Sequence, residues 1–175
     1  MGVERAFDGL VLDAGGTPLH VRGYIDRLDV EGDHTLVRDL KTGRDHPRIG
    51  EEADPTPVRD VQLGLYGLVT RALAAKWNIP GKVQAAYVYA RGPSERDFRK
   101  DHAPLEAAAR GWLAVAAGLL SERAFPPTSR DEDCAFCPFA PVCGAPVQGR
   151  AAAHVDGAVG AVAAFFEVRK RKLKE

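Results

Sequence analysis

The chain has 175 residues, with 24 Lys and Arg against 24 Asp and Glu, a formal net charge of zero, 45% hydrophobic residues and 27% charged ones. This is the size and balance of one globular domain with a core of its own, and it excludes disordered and collagen-like chains. No apolar run approaches the roughly eighteen residues that span a bilayer, Met1-Gly2-Val3-Glu4-Arg5 leads into strand-like alternation rather than the pattern expected of a signal peptide, and zero net charge leaves any phosphate binding to a local patch. The expectation is a cytoplasmic protein with no membrane partner.

Taken in order, Glu4 to Asp13 reads as a strand, Ala14-Gly15-Gly16-Thr17-Pro18 as a turn, and Leu19 to Val30 as a second strand. In the second, Leu19, Val21, Gly23 and Ile25 alternate with His20, Arg22, Tyr24 and Asp26. Glu31-Gly32-Asp33-His34 is polar with a glycine, a hairpin signal, and Thr35 to Lys41 is the third strand. With the turn centred near Gly32, Asp26 falls across from the neighbourhood of Arg38 and Asp39. Alternation puts Asp39 and Lys41 on one face, Arg38 and Leu40 on the other. Two carboxylates and one ammonium therefore converge. Hard cations want oxygen ligands, and Mg²⁺ often takes only one or two carboxylates. A lysine beside the ion can orient or deprotonate a water, or neutralise charge on a phosphate. The bland alternative is a solvated strand edge whose ion pair is worth little, since Asp-x-Lys is a common tripeptide.

Thr42-Gly43 opens a polar loop punctuated by Pro47, Pro55 and Pro57 and carrying Arg44 and Arg48. It is longer than a simple connection, which makes it either functional or a mobile surface loop. From Val58 to Trp77 the residues Val61, Leu65, Leu68, Val69, Ala72 and Leu73 recur at helical spacing, and Arg59, Gln62 and Tyr66 form a polar stripe along one edge. That stripe can reach a phosphate or can simply be solvated. Ile79-Pro80-Gly81 breaks the helix, and Val83 to Ala90 alternates as a strand. Strand, strand, strand, helix, strand predicts an α/β fold, a mixed sheet with a helix crossing one face. Arg91 to Asp101 is a loop or short edge strand. A second helix begins at Pro104 and ends near Arg123, with Leu105, Ala108, Ala109, Trp112, Leu113, Ala116, Leu119 and Leu120 as its apolar stripe.

All three cysteines lie together, Cys134-x2-Cys137-x5-Cys143. In a reducing compartment this spacing favours metal ligation over disulfides. Three thiolates need a fourth ligand: Cys or His for zinc, Cys for a 4Fe-4S cluster, and the chain has no other cysteine. Buried apolar thiols with no ligand role are the remaining reading.

Gly23-x-Ile25-Asp26-Arg27-x-Asp29, Asp39-Leu40-Lys41-Thr42-Gly43, Gln62-x3-Tyr66, and Phe125-Pro126-Pro127 leading into the cysteines together resemble the PD-(D/E)XK nuclease superfamily, over about Val3 to Gly144. The likeness is closest to its RecB-like branch with an iron-sulfur staple, as in AddB-type subunits of bacterial helicase-nucleases. The resemblance implies a restriction-endonuclease-like mixed sheet flanked by helices and a metal-dependent deoxyribonuclease, an exonuclease of DNA repair or recombination, acting on DNA beside a helicase domain or subunit. It implies that Asp26 and Asp39 hold Mg²⁺ or Mn²⁺, that Lys41 serves the attacking water, and that Gln62 and Tyr66 assist at the DNA backbone. It further implies that Cys134, Cys137 and Cys143 ligate a 4Fe-4S cluster whose fourth ligand lies outside this chain, pinning residues 134–143 to a nuclease domain of residues 1–144. The branch usually carries an upstream helical segment with a metal-binding histidine and the first cluster cysteine. His20, His34, His46, His102 and His154 do not sit where that histidine would. The expectation is the C-terminal portion of a larger protein.

Residues 145–175 read as a small-residue linker followed by a helix from Val155 to Lys174 that ends in Arg169-Lys170-Arg171-Lys172-Leu173-Lys174. Those cations suit either phosphate contacts or a helix C-terminus. Two further functions stay open beside the nuclease: a non-catalytic nucleic-acid-binding or scaffolding module that keeps the nuclease fold, and a small zinc-binding protein.

Overall fold

The computed structural model describes residues 2–44, 61–91, 95–97, 103–127, 134, 137–143, 155 and 157–170. The loop with Pro47, Pro55, Pro57 and Arg48, the stripe residue Arg59, Phe98 and the basic end from Arg171 lie outside them. The strands are β1 (Gly2–Asp13), β2 (Pro18–Glu31), β3 (His34–Arg44), β4 (Lys82–Arg91) and β5 (Glu95–Asp97). Among the described residues the helices of two turns or more are α1 (Val61–Trp77), α2 (Ala103–Glu122) and, after the short α3 (Ala140–Cys143), α4 (Gly160–Lys170).

The strands form a single sheet in the order β1-β2-β3-β4-β5. β1, β2 and β3 are successive antiparallel neighbours, β4 runs parallel to β3, and β5 pairs antiparallel with β4. The β2–β3 turn is the two residues Gly32 and Asp33, closed by the pair Glu31↔His34. Gly32 has φ +61°, as the first central position of a type II′ turn requires, and glycine meets that without a Cβ clash. The parallel β3–β4 pair needs a crossover, which α1 supplies. The mixed sheet flanked by helices is therefore as the sequence predicts.

Packing divides the chain into two units, Met1–Ala114 and Val115–Glu175. The first is organised round a core of Phe7, Leu12, Ile25, Leu28, Val37, Leu63, Val69, Val83, Ala85, Tyr87 and Leu105. Helix α1 comes so close to α2 that a Cβ on Gly64 would strike the backbone carbonyl of Leu105. Arg71 ties the same helices together, its Nη2 lying 2.7 Å from Glu106 Oε1 while its Nη1 donates to the carbonyl of Gly81 at 2.9 Å. Asn78, in the left-handed region at φ +53°, ends α1: Ile79 N donates to Ala74 O at 3.0 Å and Asn78 N to Ala75 O at 3.2 Å, the two bonds of a Schellman motif.

In the second unit, Arg123 ends α2 in the same way at φ +52°. The expected helix from Val155 is interrupted: Gly157 is a turn and α4 begins only at Gly160, whose φ is +59°. Glycines at both positions cost helix propensity. A carboxylate compensates, for Glu122 Oε1 accepts the N–H of Ala161 at 2.9 Å and satisfies an open donor of the first turn. No helix among the described residues is long and apolar enough to cross a membrane.

Candidate active site

The β2–β3 ladder ends at Arg27↔Arg38, so Asp26 and Asp39 are the next residue on each strand beyond the last pair. Sequence reasoning located this pairing because a two-residue turn leaves the register no freedom. Simple alternation along β2 does not hold through it. Ile25 and Leu28 are both buried in the same core, at 0% and 4% exposure, although three residues apart, and Arg27 between them is exposed. The side-chain phase therefore breaks at Asp26–Arg27, opposite Glu4, which has a φ of +43°. Past that break the Asp26 carboxylate turns across to β3, where its Oδ2 accepts the N–H of Leu40 at 2.8 Å. Such irregularities re-aim a side chain where regular pleating would not.

Asp39 is buried, at 2% exposure, and shares its face of β3 with Lys41. Lys41 Nζ lies 2.5 Å from Asp39 Oδ2, and this buried oxygen has no other partner among the described residues. Burial pushes the Asp39 carboxyl above its ordinary 3.8; Lys41 pulls it back and the charge of Asp26 adds to the rise. Lys41 also donates to Gln62 Oε1 at 3.0 Å, and Gln62 Nε2 donates to the Tyr66 hydroxyl at 3.1 Å. Gln62 and Tyr66 stand one turn apart on α1, the i and i+4 spacing that makes neighbours on a helix face. Because the Tyr66 oxygen accepts from Gln62, its own hydrogen remains to be donated elsewhere.

The structure thus links Asp39, Lys41, Gln62 and Tyr66 in one chain of contacts, with Asp26, bonded to the N–H of Leu40, close enough for its charge to act on Asp39. Tyr87 joins them, its ring centroid 5.0 Å from Lys41 Nζ. Sequence reasoning missed it as a site residue. The available signal was the crossover: a parallel β4 puts Tyr87 beside Asp39 in the ladder.

On the reverse side of the same ladder, Asp29 is buried at 6% exposure between two arginines. Arg27 Nε lies 2.8 Å from it, Arg38 Nη1 contacts its Oδ2, and Arg38 Nη2 reaches Glu31 at 2.9 Å. Burial alone raises the Asp29 carboxyl, but the bonds and charges of Arg27 and Arg38 outweigh it and hold the group below 3.8.

The donor set fits a hard divalent cation. It consists of carboxylate oxygens, one of them buried with Lys41 beside it, and two carboxylates suffice for Mg²⁺. Among the described residues no three His, Cys, Asp or Glu side chains converge as a metal-holding group, so the cation would rest on Asp26 and Asp39. The same holds for the cysteines. Cys134 and Cys137 are half-buried thiols and Cys143 an exposed one; they are linked through backbone, with Cys137 N donating to Cys134 O at 3.1 Å, and their sulfurs form no metal-holding group. Three thiolates are one ligand short of the four that a 4Fe-4S cluster takes.

A family model of the PD-(D/E)XK nuclease superfamily matches residues 1–144. Neither the curated proteins nor the solved structures contain a match.

Proposed function

The chain belongs to the PD-(D/E)XK nuclease superfamily, and from that premise we propose that it is a metal-dependent deoxyribonuclease whose working groups are Asp26, Asp39, Lys41, Gln62 and Tyr66. The observation that carries the proposal is the buried Asp39 carboxylate, paired with Lys41 and close enough to Asp26 to feel its charge. Two carboxylates this close with one ammonium between them carry an excess negative charge that a divalent cation would offset.

In this reading Asp26 and Asp39 hold Mg²⁺ or Mn²⁺. The chemistry a divalent ion supplies in such a site is a lowered pKa for a water and stabilisation of charge on a phosphoryl oxygen. Lys41 has three donors, of which Asp39 and Gln62 engage two, and the third is free to orient the attacking water or meet a phosphate oxygen. The bond that Lys41 donates to Gln62 fixes the direction of its ammonium beside Asp39. Tyr66 O–H donates to the backbone phosphate of the strand being cut.

The proposal extends to the RecB-like branch, to exonuclease action in DNA repair or recombination, to a helicase domain or subunit as partner, and to the cytoplasm; these rest on the motif order Asp26, Asp39-x-Lys41, Gln62-x3-Tyr66 and the cysteine spacing. A 4Fe-4S cluster is supported by that spacing alone, and it would need a fourth ligand from outside the chain. Anaerobic reconstitution tests it: bound iron that is lost in Cys137→Ser supports the cluster, and iron that does not depend on Cys137 contradicts it.

A second reading, a nucleic-acid-binding module without catalysis, is favoured by the absence of a third metal-ligating side chain at the site among the described residues. Incubation of end-labelled DNA with the 175-residue chain separates the two. Cleavage that requires Mg²⁺ or Mn²⁺ and falls by a factor of about 10² or more in Lys41→Ala supports the nuclease. Binding of DNA without cleavage at any metal concentration supports the module.

A further inference from the structure

The two acids of the site sit on different strands just past the rung Arg27↔Arg38, where the β2–β3 ladder stops. Beyond that rung β3 continues against β4 as far as Lys41↔Tyr89, and β2 continues against β1 through Ile25. Each acid is thus carried by its own pair of strands, and the seam between the pairs is last closed at Arg27↔Arg38. That rung sets the spacing of Asp26 and Asp39.

It is an unfavourable rung, because like charges directly opposite each other in an antiparallel pair repel. Its two guanidiniums lie on the reverse face of the sheet, since the next pair, Leu28↔Val37, enters the core. Left to themselves they would part the strands right beside the acids. Asp29, two residues along β2 and therefore on the same reverse face, meets both of them. Arg27 Nε lies 2.8 Å from its Oδ2 and Arg27 Nη2 donates to its Oδ1 at 3.3 Å, while Arg38 Nη1 contacts Oδ2. Glu31, a further two residues on, takes Arg38 Nη2 at 2.9 Å. Well-packed apolar residues often stabilise such a place as much as a buried ion pair does, so what the charged set adds is a fixed geometry.

We infer that Asp29 is a positioning residue for the cation site: by bridging Arg27 and Arg38 on the reverse face it holds the last rung closed and so fixes the spacing of Asp26 and Asp39. This rests on the reading of those two acids as cation ligands. Asp29 touches neither acid; its effect passes through the backbone of Arg27 and Arg38, each of which is one residue from an acid. The bond from Leu40 N–H to Asp26 Oδ2, 2.8 Å long, crosses the same seam and depends on the same spacing. Mg²⁺ demands near-ideal geometry at about 2.1 Å, so a small parting of the strands is felt by the ion.

The test is calorimetric titration of Mn²⁺ into the full chain, Asp29→Asn, and Asp29→Asn combined with Arg27→Gln, each at about 0.1 M and about 1 M KCl. Asp29→Asn is expected to weaken Mn²⁺ binding about tenfold at both salt concentrations. Adding Arg27→Gln removes one of the two facing charges and is expected to bring the affinity back to within about threefold of the parent. Without metal, the NMR amide proton of Leu40 is expected to move upfield in Asp29→Asn, as its bond to Asp26 lengthens, and to return in the double variant. Parental affinity in Asp29→Asn, a loss seen only at low salt, or a double variant that binds no better than the single one overturns the inference. A role in stability alone would lower the melting temperature of Asp29→Asn and leave the Mn²⁺ affinity and the Leu40 proton where they were. Should Asp29→Asn not fold, the double variant decides: near-parental affinity supports the inference, and failure to fold or to bind overturns it. A parent that binds no Mn²⁺ sinks the reading of Asp26 and Asp39 as ligands, while the Leu40 proton still reports on the rung, so the two failures are distinct.

Discussion

Asp39 is under opposed demands. Burial favours its neutral acid, while Lys41 favours the carboxylate, as a bound cation would. A folded-state pKa raised above 3.8 contributes stability below that pH and loses it as pH rises through the folded value. Asp39→Asn does not titrate, so without metal it is expected to match the parent in acid and to become the more stable protein towards neutral pH, as thermal melts across pH would show. Mn²⁺ at a hundred times its dissociation constant should then stabilise the parent by about 2.7 kcal/mol and leave Asp39→Asn unmoved. Asp29 has the opposite sign. Its pKa is lowered, so its contribution is present above 3.8 and is lost as pH falls through the folded value. Asp29→Asn leaves Arg38, whose side chain is 12% exposed, short of its buried counter-charge. It is expected to destabilise the fold by roughly 2–3 kcal/mol at neutral pH in urea melts. At this scale Asp26, Asp39 and Lys41 were legible because register and pleat follow from a two-residue turn. The re-aiming of Asp26 was not, because it depends on a phase break that nothing in Ile25-Asp26-Arg27-Leu28 announces.

Among the elements, α1 does two things at once: it closes the β3–β4 crossover and holds Gln62 against Lys41. Its close approach to α2 depends on Gly64. Alanine there gains about 1 kcal/mol of helix propensity, yet its Cβ would meet a backbone carbonyl that cannot rotate away. Gly64→Ala is therefore expected to lose about 1–3 kcal/mol net, and, by tilting α1, to lengthen the Lys41–Gln62 bond and slow cleavage. Equal urea midpoints for variant and parent would show that the helices part without cost. The existence of α1 was plain from its 3.6-residue period, and its end from Ile79-Pro80-Gly81. The start of α4 was not, since the carboxylate that satisfies its first turn comes from Glu122, thirty-nine residues earlier, and contacts that distant leave no local pattern.

For the molecule as a whole, zero net charge means that nucleic acid is drawn by local groups or not at all. Strand, helix and sheet order were readable because each segment keeps one period, and that order led to the mixed sheet. What the cysteines do was not readable in the same way: spacing brings Cys134 and Cys137 near in sequence, but ligation is decided by where three sulfurs and an outside ligand meet.

The claim on which the rest depends is that Asp26 and Asp39 hold a divalent cation and that Lys41 acts beside it without holding it. Calorimetric titration of Mn²⁺ into the parent, Asp39→Ala and Lys41→Ala tests this directly. Comparable affinity in the parent and Lys41→Ala, with binding at least tenfold weaker in Asp39→Ala, is the expected result. Equal affinity in Asp39→Ala and the parent would contradict it.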